Sequence, residues 1–216
     1  MLLRLAALSS LALVALVPAS ISATASYQIG ASRDLGQLDI PMVDVTDGYT
    51  GPPDENGVAR WWLGATEANP YSITIDGQEL GRITNWTASL KEDPFVTNNI
   101  NITNTTAFNI VYIASVIMPI PAFAYDEIVF SSVGVTATDS NGDNIMLVDE
   151  DGGLAFYRGR VNGVTLLSLT PPAIPITTAD CSPTPGVAGC TATSAVGVAS
   201  QATPAGVANN IEIILR

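Results

Sequence analysis

The chain has 216 residues, with 20 acidic against 8 basic side chains, no histidine and two cysteines. A formal charge of −12 argues against nucleic acid and anionic membrane surfaces as partners, because phosphate recognition requires a basic patch. With no imidazole available, Ser-His-Asp and Cys-His catalysis are excluded and the usual zinc sites are removed.

The N-terminus reads as a targeting segment. Arg4 is the lone charge of a short n-region, Leu5 to Val17 is an apolar h-region, and Ala23-Thr24-Ala25 offers an A-x-A cleavage site. Cleavage after Ala25 would leave 216 minus 25, or 191 residues, enough for one domain with a sizeable core. Arg4 would leave with the signal, so the side-chain balance of the remainder becomes 7 minus 20, or −13. No later apolar run is long enough to span a membrane, so the processed chain is expected outside the cell and not inserted in a bilayer.

Residues 26–58 read as an N-terminal arm or edge strand. SYQIG and QLDIPMVDV alternate weakly, Pro41 pushes the second run to an edge, and TDGYTGPPDENG is a long turn-rich loop. Residues 59–216 read as the folded domain. Arg60 to Leu63 is a short strand, and Tyr71 to Ile75 reaches the hairpin dipeptide Asp76-Gly77. In the return strand, Glu79 to Leu90, simple alternation places Leu80, Arg82, Thr84, Trp86 and Ala88 on one side.

The next stretch carries the centre of the fold. Isoleucines alternate with Asn and Thr from Asn99 to Thr103, which turns Ile100 and Ile102 to the core. Phe108 to Ile117 is apolar on both faces and should be covered on both, ending at Pro119 and Pro121. Ile128 to Thr138 is a third strand, and Ile145 to Val148 a brief one. Leu154 to Val161 and Val164 to Leu169 flank Asn162-Gly163, the strongest hairpin signal in the chain. Residues 170–194 are rich in Pro, Thr and Ala and read as a surface loop. Cys181 and Cys190 would pin it as a disulfide in an oxidising compartment. Asn210 to Arg216 closes the chain as a strand. Many short strands, frequent turn signals and no amphipathic helix outside the signal predict an all-β, single antiparallel β-sandwich, jelly-roll or Ig-like.

Three sets of residues are candidates for specific chemistry. Asp139, Asn141 and Asp143 place oxygens at positions 1, 3 and 5 of a calcium loop, with Glu150 at position 12. Position 6 is Asn144 where such a loop wants glycine, and a plain hairpin turn demands the same residues. Asn85, Asn101 and Asn104 begin N-glycosylation sequons that also serve as the polar face of strands. Trp61, Trp62 and Trp86 could stack on sugar rings or pack in the core. The paired acids Asp126-Glu127 and Asp149-Glu150-Asp151 are sequence neighbours and do not define a catalytic dyad.

The stretch KEDPFVTNNINITNTT with SSVGVTATDSNGD, about residues 89–144, resembles exported bacterial β-sandwich proteins of the PEP-CTERM surface and matrix type. Those proteins combine a DPF/YV strand start, an Asn/Thr-rich strand and a T-D-x-N-G-D turn. The resemblance implies an extracellular surface or matrix role with no catalytic residues, although the Pro-Glu-Pro sorting tail of that group has no counterpart in this sequence. The expected function is therefore that of a secreted, non-enzymatic structural protein. It would self-assemble as a homopolymer, with Gln37 to Val45 as a strand offered to a neighbour's sheet edge. The alternative is an adhesin-like module binding Ca²⁺ or carbohydrate; no other cofactor is expected. A hydrolase working through two converging carboxylates is the third class.

Overall fold

The computed structural model describes residues 25–34, 37, 39–91, 95–124, 128–139, 145–147, 156–169, 174–176, 190–202 and 207–216. The described residues are all-β, with antiparallel pairing throughout and no helix. Strands are numbered in chain order. β1 is Ser26–Ser32, β2 Val43–Asp44, β3 Tyr49–Thr50, β4 Ala59–Trp62, β5 Tyr71–Ile75, β6 Gln78–Lys91 and β7 Phe95–Asn104. β8 is Val111–Ala124, β9 Ile128–Asp139, β10 Ile145–Leu147, β11 Tyr157–Val161 and β12 Val164–Leu169. β13 is Ile174–Ile176, β14 Cys190–Ala202 and β15 Val207–Leu215.

One sheet runs β12-β11-β15-β8-β1-β2. The second is built on the 14-residue β6: β5 and β4 share one of its edges, β3 extends β4, and β7 lines the other edge. The two sheets bury a common core in a sandwich-like arrangement. Tyr27, Ile29 and Ala31 of β1 with Ala114, Val116 and Met118 of β8 meet Trp61, Ile73, Ile83, Trp86 and Ala88 of the second sheet. Alternation of period two places each set on one face, and removing that apolar area from water is the main stabilising term.

Local chemistry explains the well-read elements. Asp76 and Gly77 adopt φ of 51° and 75°, and Asn162 and Gly163 adopt 49° and 77°. Both central residues of a type I′ turn need positive φ, so each dipeptide makes the hairpin expected of it, β5–β6 and β11–β12. Ile100 and Ile102 pack against the core while Asn99, Asn101 and Thr103 are exposed.

β8 is covered on both faces where it starts. Val111 and Ile113 turn away from the main core and are buried with Ile40, Ile214 and Met42. The chain before β2 thus lies as a strap across the outer face of the first sheet. Gly30 makes this possible: a Cβ there would sit 2.8 Å from the Pro41 carbonyl oxygen and 2.9 Å from Met42 Sδ.

Three expectations are corrected. Pro119 and Pro121 do not end the strand; β8 runs on to Ala124. β1 pairs with β8 only as far as Ile117, so among the described residues the later part of β8 has no partner on that edge, where a missing N–H costs little. Pro119 also pairs with Asn210 at a register shift, where residues 120–122 of β8 oppose Asn209 alone. In β6, Arg82 is exposed and Ile83 buried, against simple alternation. Register shifts at Ile73/Thr74 and Ile83/Asn85 leave Leu80 and Thr84 as extra residues, and each resets the phase of the strand. The loop expected over 170–194 contains β13 and the first residues of β14. β14 is built from small residues of low strand propensity, and its ladder with β9 decides its conformation. Within residues 26–58 the edge of the sheet is β2, which pairs with Gln28 and Ile29, and Ser26–Ser32 lies one strand in, between β8 and β2.

Candidate functional site

Of the calcium-loop residues, Asp139 is the last residue of β9, opposite Cys190 in β14. Asn141, Asp143 and Glu150 lie outside the described residues, as do Cys181 and residues 1–24 of the signal segment. Among the described residues no three His, Cys, Asp or Glu side chains converge in a way that could hold a metal ion.

The tryptophans separate sharply. Trp61 and Trp86 are 3% and 1% exposed, while Trp62 is 42% exposed. Trp61 stacks on Tyr27 with centroids 3.7 Å apart, and Trp86 stands edge-on to both. The Trp86 indole N–H donates to Asn98 Oδ1 at 2.7 Å, which satisfies its polar atom. Burial raises the Tyr27 phenol well above its ordinary range. These rings are the centre of the core and are closed to a sugar.

Trp62 points to the opposite, outer face of the second sheet. There it meets Tyr49, its partner across β3–β4, with ring centroids 4.7 Å apart and planes tilted by 60°. The ladder carries the row on through Thr87 of β6 to Asn99 of β7. The adjacent row is Arg60, Ser89 and Thr97. Two exposed aromatic rings followed by amide and hydroxyl groups make a surface that is apolar at one end and hydrogen-bonding at the other. Tyr49 was not singled out from the sequence, because it lies in a turn-rich loop and acquires meaning only opposite Trp62.

The loop before β4 holds this corner in shape. Asp54 Oδ1 accepts from the backbone N–H of Asn56 at 2.9 Å and of Val58 at 3.0 Å, and Arg60 lies 3.8 Å from its other oxygen. The Val58 and Asn56 amides hold the Asp54 carboxyl below the usual carboxylate range, with Arg60 adding to the effect.

The second feature is the edge of β7. Among the described residues β7 pairs with β6 alone, over Phe95 to Asn104. Its ten residues, FVTNNINITN, contain no charge, proline or glycine. Natural edges are guarded by lysine, proline, bulges or covering loops, and this strand carries neither of the first two.

Two of the sequon asparagines lie on β7. Asn101 is exposed and pairs across the ladder with Asn85. Asn104 is tied into the following turn: its Nδ2 donates to the Phe108 carbonyl at 2.7 Å and its Oδ1 accepts from the Thr106 N–H at 2.9 Å. That is an Asx turn, a structural use of the side chain.

Compared with family models, with curated proteins and with solved structures, the chain matches none significantly.

Proposed function

We propose that the protein is a secreted, non-enzymatic structural subunit, a single antiparallel β-sandwich, jelly-roll or Ig-like, that self-associates outside the cell. The observation that carries this reading is the edge of β7, which pairs with β6 alone among the described residues. On that edge alternate residues of the strand direct their backbone N–H and C=O groups away from β6, and the strand holds no charged residue or proline. A second copy of β7 laid antiparallel satisfies those groups and joins two sheets into one. Copies of a chain charged −12 repel each other, and the uncharged β7 is where that repulsion is locally least. The likeness of residues 89–144 to exported surface and matrix proteins and the signal-like residues 1–25 point the same way.

Strand exchange through Gln37 to Val45 is the less favoured route. Ile40 and Val45 are 3% and 5% exposed, so a donated arm would first have to leave its own buried seat. Direct edge pairing requires no such step. Thr97→Lys with Asn99→Lys tests it, since both side chains are exposed and an added lysine is a natural edge guard. Sedimentation and negative-stain microscopy should find assemblies of the unaltered protein and monomers of the variant, with similar melting curves. A monomeric unaltered protein, or assemblies indifferent to the lysines, would overturn the proposal.

A carbohydrate-binding role is the second reading, favoured by the exposed Tyr49–Trp62 pair beside Thr87 and Asn99. An aromatic ring can cover the apolar face of a pyranose while amides and hydroxyls bond its rim. Trp62→Ala should abolish any saccharide binding detected on a glycan array. Binding retained in that variant would place the sugar elsewhere.

A further inference from the structure

The outer face of the first sheet carries a cationic cluster that neither reading above uses. Subtracting Arg4 from 8 leaves seven basic side chains after residue 25, and three of them, Arg158, Arg160 and Arg216, lie here. The register explains the grouping. Arg158 faces Ile214 and Arg160 faces Glu212 across the β11–β15 ladder. Arg216 follows two residues beyond Ile214 on the same face and continues the ladder, its N–H donating to the Phe156 carbonyl at 2.8 Å.

Among the described residues, the one acidic side chain in this group is already engaged. Glu212 accepts from Arg160 Nη1 at 2.9 Å through one oxygen and from the Ser115 hydroxyl at 2.9 Å through the other. Arg160 also donates to the Gly163 carbonyl, and Arg216 donates to the Gln37 carbonyl of the strap at 2.9 Å. Arg158 donates in none of these bonds. It is half-buried like its neighbours, and its Nε, like that of Arg160, is fully buried with no acceptor among the described residues. Across β12 its neighbour is Ser168, an exposed hydroxyl. Burial, then the charges of Arg160 and Arg216, lower the affinity of Arg158 for its proton, with Glu212 opposing them.

A half-buried guanidinium among like charges is an uneconomical arrangement for a stability role alone, because desolvation and repulsion both act against it. A planar fork of N–H donors beside further arginines is what recognition of an oxyanion uses.

We propose that Arg158, flanked by Arg160, Arg216 and Ser168, is an anion-binding site for an oxyanion group: sulfate, phosphate or a saccharide carboxylate. The oxyanion lies against the Arg158 guanidinium on the outer face of the first sheet, beside the strap at Gln37. The net charge of the chain opposes the approach of anions in general, so binding there is local and saturable. The site is independent of the β7 edge and of the Trp62 surface, and its test does not bear on them.

The experiment is calorimetric titration of the full secreted chain with inorganic sulfate and, separately, with glucuronate, at constant ionic strength in chloride. The first arm reads a free inorganic anion and the second a saccharide carboxylate. Arg158→Gln and Arg158→Lys are titrated alongside, with Arg82→Gln as a control far from the cluster. At least one anion should bind saturably, Arg158→Gln should weaken it about tenfold or more, and Arg158→Lys should weaken it less. Arginine Nε–H resonances of the cluster should shift with the same saturation curve. Equal binding by Arg158→Gln, or no saturable binding in either arm, would overturn the proposal, whatever the melting temperatures of the variants.

Discussion

Trp61 and Trp62 are adjacent and chemically identical, yet the pleat sends one into the core and the other to solvent. Trp61→Ala would remove a ring stacked on Tyr27 and leave a cavity against Trp86, at a cost of about 3–5 kcal/mol. Trp62→Ala loses only contact with an exposed Tyr49 and should cost about 1 kcal/mol or less. Urea denaturation of the two variants measures this difference directly. Alternation was legible in the sequence; which of the two faced inward was not, because that depends on the register of β4 with β6. Asp54 supplies a pH prediction. Its folded-state affinity for protons is depressed by the Val58 and Asn56 amides. Its contribution is therefore present above the usual carboxylate pKa of about 4 and lost as pH falls through the lower, folded value. Protonation of the other acids relieves self-repulsion and acts with the opposite sign, so the informative quantity is a difference. The advantage in melting temperature of the unaltered protein over Asp54→Ala should shrink as pH falls from 7 to 3, and a constant gap would contradict the capping role.

At the scale of strands, the turns were the most legible elements. Asp76-Gly77 and Asn162-Gly163 require positive φ locally, so no tertiary knowledge was needed to place the hairpins. β6 was only half legible, because bulges at Leu80 and Thr84 reset the alternation and depend on pairing with β5 and β7. β8 was cut short in the sequence reading because a proline removes a ladder donor. The structure tolerates Pro119 and Pro121 beyond the point where β1 pairs with β8, an edge without a partner among the described residues. β14 was illegible, since CTATSAVGVASQA resembles a loop until β9 lies beside it. The most consequential displacement concerns β1. Because it lies between β8 and β2 and buries Tyr27, Ile29 and Ala31, residues 26–32 are part of the fold. Deleting them should abolish cooperative thermal unfolding followed by circular dichroism. A deletion variant that melts cooperatively near the temperature of the unaltered protein would show β1 to be dispensable.

At the scale of the molecule, the two larger sheets and the strap present three surfaces of different character: the β7 edge, the Trp62–Tyr49 face and the arginine cluster. The all-β class and most strands followed from composition, alternation and turn dipeptides. The candidate surfaces followed only from pairing, which set Tyr49 opposite Trp62 and brought Arg216, from the far end of the sequence, beside Arg158 and Arg160. The self-association claim rests on the first of these surfaces. Amide hydrogen exchange across a concentration series tests it most directly, because it reads the backbone groups themselves. The amides of Phe95 to Asn104 that point away from β6 should exchange freely in dilute protein and become protected as assemblies form, while the amides of β1 and β8 stay protected throughout. Assemblies in which the β7 amides exchange as fast as in the monomer would contradict it.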